Sequence, residues 1–103
     1  MNIKKKRYDC KMIVEVSGRL DVESAHELEK ELSRNISEIE ELVLDFKDLE
    51  YISSSGIRII LSLQNALQKR GKLVIKNVND FVLDVLKTTK IVEVLEVQKK
   101  MLS

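Results

Sequence analysis

Residues 42–57 read LVLDFKDLEYISSSGI. The first part, Leu42-Val43-Leu44-Asp45-Phe46, is a short apolar run rich in strand formers, closed off by the polar Lys47 and Asp48, and it predicts a buried strand. From Ile57 to Arg70 the apolar residues change to helical spacing, ending at Gly71. Between the two lies Tyr51-Ile52-Ser53-Ser54-Ser55-Gly56. Serines entering a helix can accept a bond from an orphan backbone N–H, and the helix dipole favours a negative group there. A phosphate on one of them would be electrostatically welcome, which makes this loop a candidate switch.

On the N-terminal side, Lys4 to Asp9 and Met12 to Ser17 read as two strands of a hairpin turning near Cys10 and Lys11, with Gly18 breaking the second. Asp21 is placed to cap a helix whose apolar residues Val22, Ala25, Leu28, Leu32 and Ile36 recur at intervals of three and four. In the second helix Ile57, Ile60, Leu61 and Leu67 form a stripe that Ile59, Leu63 and Ala66 widen, so it reads as largely buried; Lys69 and Arg70 give it a positive last turn. Lys72 to Lys76 reads as a strand, Phe81, Val82, Val85 and Leu86 as a short helix starting near Asn79 or Asp80, and Ile91 to Val97 as a last strand before a tail from Gln98 to Ser103. The order β-β-α-β-α-β-α-β is that of an α/β fold with a mixed sheet of four to five strands packed against three to four helices, formed by residues 1–103 as one domain. Where right-handed crossovers join parallel strands, the loops leaving the strands gather on one edge. Asp21, Ser54 and Asn77 all follow strands and are expected to approach one another there.

Composition narrows the function. Charged residues are 34% of 103 yet cancel to +1, so no basic field is available to hold nucleic acid. The cluster Lys4-Lys5-Lys6-Arg7 reads as solvated protection of an edge strand. Cys10 is the single cysteine, which rules out an intrachain disulfide, argues against a cysteine-ligated metal and suits a reducing compartment. No apolar run is long enough to insert in a membrane and no signal-peptide core is present, so a cytoplasmic location is expected. No cofactor or metal is implied, and the core needs no ligand to complete it.

The combination of Gly18-Arg19-Leu20-Asp21, the strand Leu42 to Phe46, Leu49-Glu50-Tyr51-Ile52-Ser53-Ser54-Ser55-Gly56-Ile57 and Lys72-Leu73-Val74-Ile75 resembles the STAS domain of bacterial anti-sigma factor antagonists, over almost the whole chain. The resemblance implies a sheet packed on several helices and a partner switch. The first serine of the Ser-Ser-Gly motif, here Ser54, would be phosphorylated by a serine kinase that is also the anti-sigma factor. The unphosphorylated domain would bind that kinase and free a sigma factor, phosphorylation would end the binding, and a PP2C-type phosphatase would reset it. Asp21, Ser53, Ser54, Ser55 and Gly56 would form the partner surface. This chain departs from the family in carrying Ser53 where an aspartate is common. A longer C-terminal amphipathic helix is also usual there, and with only Val97 to Ser103 following the last apolar strand it is expected to be absent or very short.

Plainer readings stand beside these. Ser54 and Asp21 can be helix caps alone, and Tyr51, Ile52, Phe81 and Leu86 read as core. The fold can also serve as a scaffold or a subunit of a larger assembly in which Ser54 stays unmodified. A serine on a strand-to-helix turn also suggests a hydrolase. Here Ile52 replaces the first glycine of such an elbow, and His26, the single histidine, precedes the serine and reads as solvent-facing at the margin of its helix. The chain therefore reads as a substrate and partner, not an enzyme.

Overall fold

A computed structural model describes residues 2–67, 71–93 and 95–99. Strand β1 (Asn2–Tyr8) pairs antiparallel with β2 (Lys11–Leu20) from Asn2↔Ser17 to Tyr8↔Lys11, with Asp9 at φ 53° in the turn. Strands β3 (Glu41–Asp45), β5 (Lys72–Val78) and β6 (Glu96–Lys99) add in parallel, giving the order β1-β2-β3-β5-β6. The short β4 (Leu49–Ile52) pairs in parallel with Gly18 to Leu20 at the end of β2. The result is a mixed α/β sheet, as the element order predicts.

The alternation of the strands decides which face is covered. Met12, Val14 and Val16 of β2, Leu42 and Leu44 of β3, and Leu73 and Ile75 of β5 point to one side and are buried. They form one core with Ala25, Leu28 and Leu32 of α1 (Val22–Ser33), Ile57, Ile60, Leu63 and Leu67 of α2 (Ser54–Leu67), and Val82 and Leu86 of α3 (Asp80–Thr88). On the other side a cross-strand row of Ile13, Val43 and Val74 is flanked by Lys11, Glu41 and Lys72. The basic cluster of β1 fastens this edge strand down: Lys5 Nζ lies 2.8 Å from a Glu31 carboxylate oxygen, and Arg7 Nη1 donates at 2.6 Å to Glu38. Its lysine holds the Glu31 carboxyl below the usual carboxylate range, by hydrogen bond and by charge.

Several expectations change. Gly18 does not end β2: it takes φ 94°, open to glycine at little cost, and the strand continues through an irregularity to Leu20. Helix α1 stops at Ser33, and Ile36 lies in a separate 3₁₀ turn, Ile36–Glu38. Val22 is 67% exposed because it is in the first turn, outside the arc of Ser24, Ala25, Leu28 and Leu32. Helix α2 begins at Ser54, not Ile57, and its buried arc centres on Gly56, Leu63 and Leu67, so Leu61 and Ala66 fall beyond its margins and are exposed. The stretch read as a strand from Ile91 opens instead with a 3₁₀ turn, Ile91–Glu93, in which the Glu93 N–H donates to the Lys90 carbonyl at 3.1 Å; β6 starts only at Glu96 and takes in Gln98. Lys69, Arg70 and the segment 100–103, with any C-terminal helix, lie outside the described residues. α2 is described as far as Leu67; the Gly71 N–H donates to the Leu67 carbonyl at 2.8 Å, and any Cβ at Gly71 would overlap the Glu40 carbonyl.

Candidate functional site

The serine loop is built on β4, an element too short to announce itself in the sequence. Its last residue, Ile52, is buried, and the next peptide crosses to β2: the Ser53 N–H donates to the Leu20 carbonyl at 2.9 Å. Ser53 then opens α2. Its carbonyl accepts from the Ile57 N–H at 3.0 Å, and its hydroxyl accepts from the Gly56 N–H at 3.3 Å. The capping role that the sequence allowed for Ser54 thus falls to Ser53. Ser54, the first helical residue, is exposed, and its hydroxyl has no hydrogen-bond partner among the described residues; Ser55 is half-buried. Gly56 is buried because α2 presses its first turn onto the strands: a Cβ there would meet Ile52 Cγ1 at 2.8 Å and Leu20 Cγ at 2.9 Å. The glycine therefore sets the depth at which the serines sit.

Asp21 follows Leu20 directly, so the bond from Ser53 sets the starts of α1 and α2 side by side. The Asp21 carboxylate accepts from the Ser24 N–H at 3.1 Å and the Ser24 hydroxyl at 3.0 Å, while the Asp21 N–H donates to Ser24 Oγ at 2.8 Å in a reciprocal capping box. These bonds, the backbone one foremost, hold its carboxyl below the usual aspartate range. Asn77 does not join the serines through any described bond; at φ 62° its side chain donates to Asp45 at 3.0 Å. Asn79, two residues on, ties α3 to the site: it caps that helix by accepting from the Val82 N–H at 2.8 Å and donates to the Leu49 carbonyl of β4 at 2.9 Å.

Beside the serines lies a feature the sequence did not announce. Tyr51 is half-buried rather than core, and Phe81 is 54% exposed. Their rings stack at 6.1 Å between centroids, and the Arg19 guanidinium lies 4.2 Å from the Tyr51 ring centre. The one available signal was composition, since these are two of only four aromatic residues. Ile52 and Leu86 are core as expected.

His26 is exposed and lines the groove between α1 and α2 with Ser62 and Ala66. Those residues lie eight and twelve positions beyond Ser54, about 12 and 18 Å along the helix, so imidazole and serine are not brought together as a nucleophile and base require. Among the described residues no group of three or more histidine, cysteine or acidic side chains is placed to hold a metal, and no helix is long and apolar enough to cross a membrane.

The sequence model of the STAS domain matches residues 2–101. The chain belongs to the STAS domain family. This STAS domain is 34% identical over 77 residues to a protein of Bordetella bronchiseptica named "Putative anti-sigma factor antagonist BtrV", a match that covers 73% of this chain and 66%, just under two thirds, of that protein. Its fold is that of the anti-sigma factor antagonist SpoIIAA in unphosphorylated form, with a TM-score of 0.84 at 16% identity over 93% of this chain and 87% of the other. Against the phosphorylated form of the Bacillus SpoIIAA the TM-score is 0.76 at 15% identity, over 93% and 90%. At such identities it is the fold that is shared.

Proposed function

We propose that this STAS domain is an anti-sigma factor antagonist working by partner switching in the cytoplasm. Unphosphorylated, it binds an anti-sigma factor that is a serine kinase and so releases a sigma factor; phosphorylation at Ser54 ends the binding, and a PP2C-type phosphatase restores it. The observation that supports this best is the division of labour between adjacent serines: Ser53 spends its hydroxyl on the helix, while Ser54 presents at the surface one that has no partner among the described residues. In the transfer, Ser54 Oγ attacks the γ-phosphorus of the ATP held by the kinase, the bond to the β-phosphate oxygen breaks, ADP leaves, and the hydroxyl proton passes to a base on the kinase. The product adds about 1.5 to 2 negative charges where a neutral hydroxyl stood, enough to disrupt a surface packed against the bare loop. The fold need not change, because the group projects outward from the first turn of α2.

Asp21, Ser53, Ser55 and Gly56 contribute to the partner surface in this reading, Asp21 through its place beside Ser53. Purified domain mixed with its kinase tests the proposal. With ADP both wild type and Ser54→Ala should bind; with ATP the wild type should be released and Ser54→Ala retained. Release of both by ATP, or of neither, contradicts it.

A further inference from the structure

Helix α2 carries a single charged residue, Arg58, in a chain that is one-third charged. It stands four residues after Ser54, and both are exposed while Gly56, Ile57, Ile59 and Ile60 around them are buried. Residues four apart on a helix are neighbours, about 5–6 Å between Cβ atoms. Helical side chains lean toward the N-terminus, so a long one covers the turn before its own Cα. The Arg58 side chain is therefore long enough to bring its guanidinium back over the first turn, where Ser54 stands. It makes no ion pair among the described residues, where Lys5, Arg7 and Lys11 have carboxylate partners and Arg19 lies on Tyr51.

We propose that Arg58 is the internal counter-ion of phosphorylated Ser54. The inference rests on the reading of Ser54 as a phosphorylation site and adds how the phosphate is held. An acidic group at position i with a base at i+4 is the favourable order on a helix, and the planar guanidinium fork can donate to two phosphate oxygens at once. Before modification, the outward face of α2 offers a partner the positive charge of Arg58, which has no ion pair among the described residues. Afterwards that cation is occupied by the phosphate, and the face carries about −0.5 to −1. The switch therefore reverses the sign of the surface as well as adding bulk.

The test needs no kinase. Phosphoserine is installed at position 54 during translation, and its phosphorus resonance is followed against pH in the wild type, Arg58→Gln, Arg58→Lys and, as a charge control, Arg7→Gln, which lies at the far end of the β1–β2 hairpin. The second phosphate pKa, about 6 when unperturbed, should lie about half a pH unit lower in the wild type than in Arg58→Gln, the size expected of an exposed ion pair. Arg58→Lys should keep part of the shift and Arg7→Gln all of it. The difference should collapse near 1 M salt, where the Debye length is about 3 Å. Equal values in wild type and Arg58→Gln, or a difference that ignores salt, overturn the assignment and leave phosphorylation of Ser54 standing. A Ser54 that no kinase modifies refutes the switch and leaves the pKa difference untouched.

Discussion

Alanine at position 56 tests whether the glycine of the serine loop is there for close packing. Its Cβ would lie 2.8 Å from Ile52 Cγ1, 2.9 Å from Leu20 Cγ and 3.0 Å from Leu20 Cδ2, against the 3.5–4.0 Å of a relaxed carbon contact. Neither neighbour has room to yield, because both are buried, Leu20 completely. Overfilling a packed core costs about 1–3 kcal/mol, and the better helix propensity of alanine offsets up to about 1 kcal/mol of this. The net expectation is a loss of about 1–2 kcal/mol, read as a melting temperature lower by roughly 5–15 °C for a domain of this size. Urea unfolding followed by circular dichroism measures it, with the midpoint falling and the slope unchanged. The double variant Gly56→Ala with Leu20→Ala should be more stable than the two single losses added together, because the new methyl enters the space that Leu20 vacates. A Gly56→Ala domain as stable as the wild type, or losses that simply add, would refute the packing argument.

Three further outcomes follow from the geometry. Ser53→Ala should cost about 0.5–1 kcal/mol in urea unfolding, the lower part of the range for a lost helix cap because its bond is long at 3.3 Å, whereas Ser54→Ala should stay within about 0.5 kcal/mol of wild type; the reverse order would reassign the cap. A double-mutant cycle between Arg19→Ala and Tyr51→Ala should give a coupling of about 0.5–1 kcal/mol, whereas the cycle with Tyr51→Phe in place of Tyr51→Ala should show almost none, since phenylalanine keeps the ring face that meets the guanidinium. Asp21 and Glu31 have folded-state pKa values below their ordinary ones, so each adds stability that is present above the ordinary carboxylate range and is lost as pH falls through the folded values. Urea midpoints should decline from near pH 5 downward, and Asp21→Asn, which keeps the cap acceptor but does not titrate, should flatten part of that decline.

The sequence was most legible where one face of an element is buried and the other wet. The alternation through Met12, Val14 and Val16 and the helical spacing of Ala25, Leu28 and Leu32 each select one geometry. It was least legible where a long-range bond decides the outcome. Leu49 to Ile52 is too short to display a period, and becomes β4 only because the end of β2 lies alongside to pair with it. β2 runs past Gly18 for the same reason. The β-branched residues from Ile91 outweighed a turn that depends on backbone bonds back to Lys90 and Ile91. At the site, the motif located the serine loop but not the work of each hydroxyl, since Ser53 becomes the cap only once its own N–H is fixed on Leu20. The contact of Tyr51 with Phe81 joins residues thirty positions apart, and no local pattern encodes it.

The central claim is that Ser54 accepts a phosphoryl group in the cell. Peptide mass spectrometry of the protein recovered from its native cells under phosphatase inhibition, with Ser54→Ala alongside, addresses it most directly. One phosphate mapped to Ser54 in the wild type and missing from the alanine variant is the predicted result. A protein unmodified in every growth condition, or a phosphate that persists on Ser53 or Ser55 in the alanine variant, would contradict the account.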